Sequence, residues 1–153
     1  MGDLDAAGSC HLQAVKLFEE LGLETEKARL RFGLGRMLVA GGKFRDGIAM
    51  LRAARSEFEK LEMTGEAGVV ALQMVEALLA SGVPGEVPAI CRSLVEAFTA
   101  AGMPSNALTA LAYLREAAVQ ERATPAVVAH VRAFIERLPS EPEALFAPPP
   151  ERP

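Results

Sequence analysis

Cysteine is scarce. The 153-residue chain holds two, Cys10 and Cys91, with no CxxC pair, so no disulfide framework is written into the spacing and a reducing compartment fits best. Positive charge does not dominate either. Sixteen Lys plus Arg stand against twenty Asp plus Glu, a formal charge of −4, which excludes the one-signed basic face that a nucleic acid demands. Long apolar runs are missing as well. The stretch from Ala67 to Val75 stops at Glu76, well short of the ~20 residues a bilayer requires. The opening Met1-Gly2-Asp3-Leu4-Asp5 is acidic where a signal peptide is basic and then apolar, and Ala6 stands where a myristoylation motif needs Ser or Thr. A cytoplasmic protein with no membrane partner is expected.

What the chain does have is self-similarity at a shift of 40 residues. Phe18, Phe58 and Phe98 form one column. Others are Gly2, Gly42 and Gly82; Leu21, Leu61 and Ala101; Leu23, Met63 and Met103; and Leu34, Met74 and Leu114. The register runs on through Val87 and Val127, Cys91 and Val131, Leu94 and Phe134, and Phe98 and Leu138. A fixed period of this size is the signature of stacked supersecondary units.

Within one period the apolar spacing is helical. Phe44, Ile48, Leu51, Ala54, Phe58 and Leu61 step by three or four along one face. Gly22, Gly41-Gly42, Gly82 and Gly102 read as helix stops, Thr64 as an N-cap, and Thr124-Pro125 as a start, with a hydroxyl cap followed by Pro in the first turn. Seven helices are predicted, over about 3 to 21, 25 to 40, 43 to 61, 65 to 81, 85 to 101, 104 to 121 and 125 to 138, with Pro84 and Pro88 disturbing the start of the fifth. No helix buries its stripe alone. Hairpins must stack, so the expected architecture is all-α, a right-handed α-solenoid of antiparallel helix hairpins over residues 1–138. Residues 139–153, with Pro139, Pro142 and Pro148-Pro149-Pro150, are expected to be a flexible Pro-rich tail. Within that tail Glu143-Ala144-Leu145-Phe146-Ala147 is an apolar island able to dock in its own groove or a neighbour's.

The run Leu34-Gly35, then Gly42-Lys43-Phe44-Arg45-Asp46-Gly47-Ile48 and Ala54, together with Gly2-Asp3-Leu4-Asp5-Ala6-Ala7 and Ala14, resembles the tetratricopeptide repeat. The chain departs from that pattern in its 40-residue period, in Arg31 at a position where an aromatic is common, and in Val87 where a small residue is preferred. The resemblance divides the chain into a half repeat 2–22, repeats 23–62 and 63–102, and a last repeat with its capping helix 103–138. It implies a non-catalytic scaffold or adaptor that holds a protein partner, a peptide or a helix, on a concave face, as part of a larger regulatory protein of bacterial style. By register, the first helices would line that face with Arg29, Phe32, Arg36 and Val39, then Val69, Leu72, Glu76 and Leu79, then Thr109, Ala112, Glu116 and Val119.

The same phase makes the helix at 3 to 21 a second helix without its first. Leu4, Leu12, Val15 and Phe18 then carry unpartnered apolar surface, to be covered by upstream chain or by self-association into oligomers or filaments.

Chemistry finds little footing in the sequence. Cys10 and His11 lie two repeats from Cys91, and His130 one repeat beyond, farther apart than the ~4 Å span of a zinc site, so no metal or cofactor is expected. No serine sits in a Gly-x-Ser-x-Gly elbow, and Gly33-Leu34-Gly35 lacks both a preceding strand and a following Gly-Lys-Ser or Gly-Lys-Thr. Those glycines are expected to admit close helix packing, and no catalytic residue is assigned.

Overall fold

The computed structural model describes residues 2–151 and, among these, the side chains of residue 6 and of residues 8–151. The described residues are all-helical: α1 (Gly2–Glu20), α2 (Glu24–Ala40), α3 (Phe44–Lys60), α4 (Thr64–Ala80), α5 (Val87–Ala100), α6 (Ser105–Val119) and α7 (Pro125–Arg137). A single 3-10 turn, Pro84–Glu86, precedes α5. None of these helices is long and apolar enough to cross a membrane.

Helix ends repeat one local solution. The final carbonyls of a helix have no partner in the next turn and need one from outside it. After α1 the chain turns left-handed at Gly22 (φ 70°), where the Gly22 N–H donates to the Glu19 carbonyl at 3.2 Å and the Leu23 N–H to the Phe18 carbonyl at 2.8 Å. This doubly bonded reversal recurs at Gly42, Glu62, Gly82, Gly102 and Glu121. Four of the six left-handed positions are glycines, the residue without a Cβ to clash there. Glu62 and Glu121 adopt the same conformation, at φ 57° and 55°, with a side chain attached. The helices therefore close about every 20 residues, half the period of the sequence columns.

Helix starts are less uniform. Thr124 caps α7, its hydroxyl accepting from the Val127 N–H at 3.2 Å, as its sequence context predicts. Thr64 does not precede α4 but is the first residue of it, so its assignment as N-cap is corrected by one position. The fifth helix, expected from 85, begins at Val87. Pro84 opens the 3-10 turn and Pro88 occupies the first turn of α5, where an absent N–H costs nothing.

The chain divides into two compact units, up to Met74 and from Val75, with α4 passing through the division. In the first unit α2 packs on both α1 and α3. The buried line of α3 is Gly47, Leu51, Ala54 and Phe58. Contact with α2 is closest at the glycines: a Cβ on Gly35 would stand 2.8 Å from Leu51 Cγ, and one on Gly47 would stand 2.9 Å from the Val39 backbone nitrogen and 3.0 Å from the Gly35 carbonyl oxygen. Gly33, by contrast, faces open space. Close packing thus accounts for Gly35 and not for Gly33.

In the second unit α6 packs on α5 and α7. The buried residues of α5 are Val87, Ile90, Cys91, Leu94 and Phe98; all but Ile90 repeat the α3 line at a shift of 40, and Val131, Phe134 and Leu138 repeat it again on α7 and just beyond. Leu34, Met74 and Leu114 are likewise all buried. Phe58 and Phe98 are each 1% exposed, whereas Phe18, at the equivalent place on α1, is only half-buried.

Beyond α7 the chain turns back on its own unit instead of trailing away as a free tail. The Ser140 and Glu141 N–H groups donate to the Arg137 carbonyl, and the Ala144 N–H donates to that of Glu141. Asn106 Nδ2 donates to the carbonyls of Pro142 and Ala144, both at 2.9 Å. The apolar island of the tail takes the nearer of its two possible seats, on its own α6 and α7.

Candidate interaction surfaces

The residues expected to line a binding face fare unequally. On α2, Arg29 and Arg36 are exposed and Phe32 is half-buried, with the Arg36 guanidinium 5.5 Å from the Phe32 ring centre. A cation over an aromatic face is an attractive pair that leaves ring and charge together at the surface. Val39 is half-buried and closes on Gly47 of α3. On α4, Val69 and Leu79 are half-buried, but Leu72 is 0% exposed. Leu72 is a core residue, and its assignment as a partner anchor is corrected: a side chain with no accessible surface offers none to a ligand. The α4 stripe is wide enough to bury Val70, Ala71, Leu72, Met74 and Val75 together, so a single register position does not mark an outer face there.

Glu76 has a different employment from the one the sequence suggests. Arg132 of α7 donates to both its carboxylate oxygens, at 2.6 and 3.2 Å, and also reaches Glu136 at 3.0 Å. The hydrogen bonds to Glu76 raise the Arg132 pKa above its ordinary value, which keeps the guanidinium charged throughout the accessible pH range. Two-point contact of this kind fixes geometry as well as charge. Periodicity does not reveal this pair, whose members lie 56 residues apart.

On α6, Thr109 is exposed and its hydroxyl donates to the Ser105 carbonyl at 2.9 Å. Ala112 is half-buried, Glu116 is exposed and bonded by Gln120, and Val119 is 64% exposed. Of the twelve expected lining residues, Val119 is the apolar one that is exposed, while Phe32, Val39, Val69, Leu79 and Ala112 are half-buried.

Around the α1–α2–α3 contact two cations gather three carboxylates. Lys27 lies 2.7 Å from Glu24, 3.7 Å from Glu19 and 3.8 Å from Glu57. Arg31 pairs with Glu57 and, at 3.5 Å, with Glu19. Glu57 Oε2 is buried without a hydrogen-bond partner, so the carboxylate depends on these two cations. Arg31 thereby serves as an ion-pair bridge from α2 to α1 and α3.

The self-association residues also divide. The Leu4 side chain lies outside the described residues, Val15 is buried, and Phe18 is half-buried. Leu12 is 57% exposed, and two residues that sequence reasoning passed over, Leu17 and Leu21, are 51% and 61% exposed. Leu17 falls off the stripe chosen for α1, whereas Leu21, just beyond the helix, continues it three residues after Phe18. Among the described residues no three His, Cys, Asp or Glu side chains are grouped to hold a metal ion.

Comparisons with protein-family models, with curated proteins and with solved structures return no match for this chain.

Proposed function

We propose that the chain is a right-handed α-solenoid of antiparallel helix hairpins, of the tetratricopeptide-repeat kind. In this reading it serves in the cytoplasm as a non-catalytic scaffold, the partner-holding part of a larger regulatory protein. The fold half of the proposal is supported by the 40-residue recurrence of buried positions and by helices that close on one shared reversal. The functional half rests on a single observation: Phe32 is only half-buried on α2, with Arg36 lying across its ring. An aromatic side chain beside a fixed charge is the composition of an interface anchor, and an amphipathic helix with an acid next to its apolar face suits it. The test is selection from a displayed library of amphipathic helices. Selected helices should lose at least tenfold in affinity on Phe32→Ala or Arg36→Glu while circular dichroism stays unchanged; equal binding by both variants would remove this face from consideration.

A second reading, self-assembly through α1, is favoured by the exposure of Leu12, Leu17 and Leu21, more apolar surface than one isolated side chain. Light scattering over a concentration series separates the two. Growth that disappears in the Leu17→Glu, Leu21→Glu double variant supports assembly, and invariant mass supports the adaptor.

A further inference from the structure

The folded-back segment after α7 is held in a built seat. Three of its carbonyls are taken by side chains of the helices: Pro142 and Ala144 by Asn106 Nδ2 at 2.9 Å each, and Ala147 by His130 Nε2 at 2.7 Å. Asn106 is itself held in place by its Oδ1, which accepts from the Ala107 N–H at 2.9 Å. Between the carbonyl contacts one side chain enters. The Phe146 ring stands 5.4 Å from Tyr113, 5.7 Å from His130 and 5.3 Å from Phe134, the last two edge-on, as aromatic quadrupoles prefer. Its neighbour Leu145 is 84% exposed and takes no part.

Such a seat reads backbone at three points and one aromatic side chain, and is indifferent to the rest. We infer that the α6–α7 face is a recognition site for a peptide that makes a turn and then runs on to a single aromatic anchor, and that residues 142–147, with their turn at Pro142 and Glu143, are its resident intramolecular occupant, displaced by a partner segment of the same chemistry. Without the occupant, the Tyr113, His130 and Phe134 rings would present an uncovered aromatic cluster beside the free amide donors of Asn106. The occupant is attached through a few turn residues after Arg137, which gives it a high effective concentration over its seat, so an outside peptide competes at a disadvantage. The prolines at 148–150 have no N–H to give and favour extension. The seat uses Asn106, Tyr113, His130 and Phe134, none of them in the row proposed above for Phe32 and Arg36.

A fluorescein-labelled peptide with the sequence of residues 139–151 is the probe, and the full chain is the receptor. Phe146→Ala, which frees the aromatic seat, should bind it at least tenfold more tightly than the wild-type chain. Adding Asn106→Asp, which keeps the acceptor oxygen but removes the amide donors, should reverse most of that gain. A peptide with Phe146→Ala should not bind. Equal binding by wild type and Phe146→Ala, at unchanged helicity, would overturn the inference. Should Phe146→Ala lose helicity, the wild-type chain decides: excess peptide should speed glutamyl-endopeptidase cleavage after Glu143 at least fivefold, and unchanged cleavage would overturn it. A wild-type dimer abolished by Phe146→Ala would assign the seat to a second copy's tail and overturn the partner reading.

Discussion

Gly47 of α3 lies so close to Gly35 of α2 that a Cβ added to Gly47 would stand 3.0 Å from the Gly35 carbonyl oxygen. Backbone cannot step aside as the end of a flexible side chain does. Gly47→Ala is therefore expected to cost about 1–3 kcal/mol through overpacking. Gly33→Ala, on the same helix as Gly35 but facing open space, should stabilise by about 0.5–1 kcal/mol as a helix-interior replacement. Urea unfolding of the two variants checks the sign reversal.

The Arg132–Glu76 pair joins α7 to α4 with both side chains about one-fifth exposed. Partial solvation moderates the attraction, and the two-point geometry preserves part of it. A double-mutant cycle with Arg132→Met and Glu76→Gln should give a coupling of about 1 kcal/mol that shrinks in high salt. Zero coupling at low salt would mean that the contact stabilises nothing.

Cys10 is exposed and Cys91 buried, and burial pushes the Cys91 thiol up to about 11 from 9.0. The folded state favours the protonated thiol, so the stability it brings is complete below the unfolded pKa and fades as pH climbs through the folded one. Between about pH 9 and 11 the fold should lose on the order of 2 kcal/mol from this group. A thiol reagent at pH 8 should label one cysteine in the native chain and the second only on unfolding. Rapid labelling of both would contradict the burial of Cys91.

Helix number, helix limits to within two residues and the 40-residue recurrence were all legible, because stripe spacing and glycine stops are local signals. Phe58, Phe98 and Met74 are buried as their columns suggest. Side-chain pairing was not legible. Glu76 and Arg132 show no mutual signal in the sequence, and Leu72 at a lining position proved to be core because α4 buries more than one stripe. The proline content of the last residues pointed to a loose end and concealed that Asn106 and an aromatic cluster, far back in the chain, wait for Phe146. Glu62 and Glu121 escaped notice for the simplest reason: they occupy the left-handed position where glycine alone announces itself.

Those two glutamates offer the most direct test of the claim that equivalent helices close on one shared reversal about every 20 residues. Glu62 sits at φ 57°, a conformation that costs a side-chain-bearing residue roughly 1 kcal/mol. Glu62→Gly is predicted to raise stability by about 0.5–1 kcal/mol, a rise in melting temperature of roughly 1–4 °C. The same replacement inside a helix, Glu96→Gly on the exposed side of α5, should lower stability by about 0.5–1 kcal/mol. A fall in melting temperature for Glu62→Gly as large as that for Glu96→Gly would place residue 62 within continuous helix and contradict the repeating architecture.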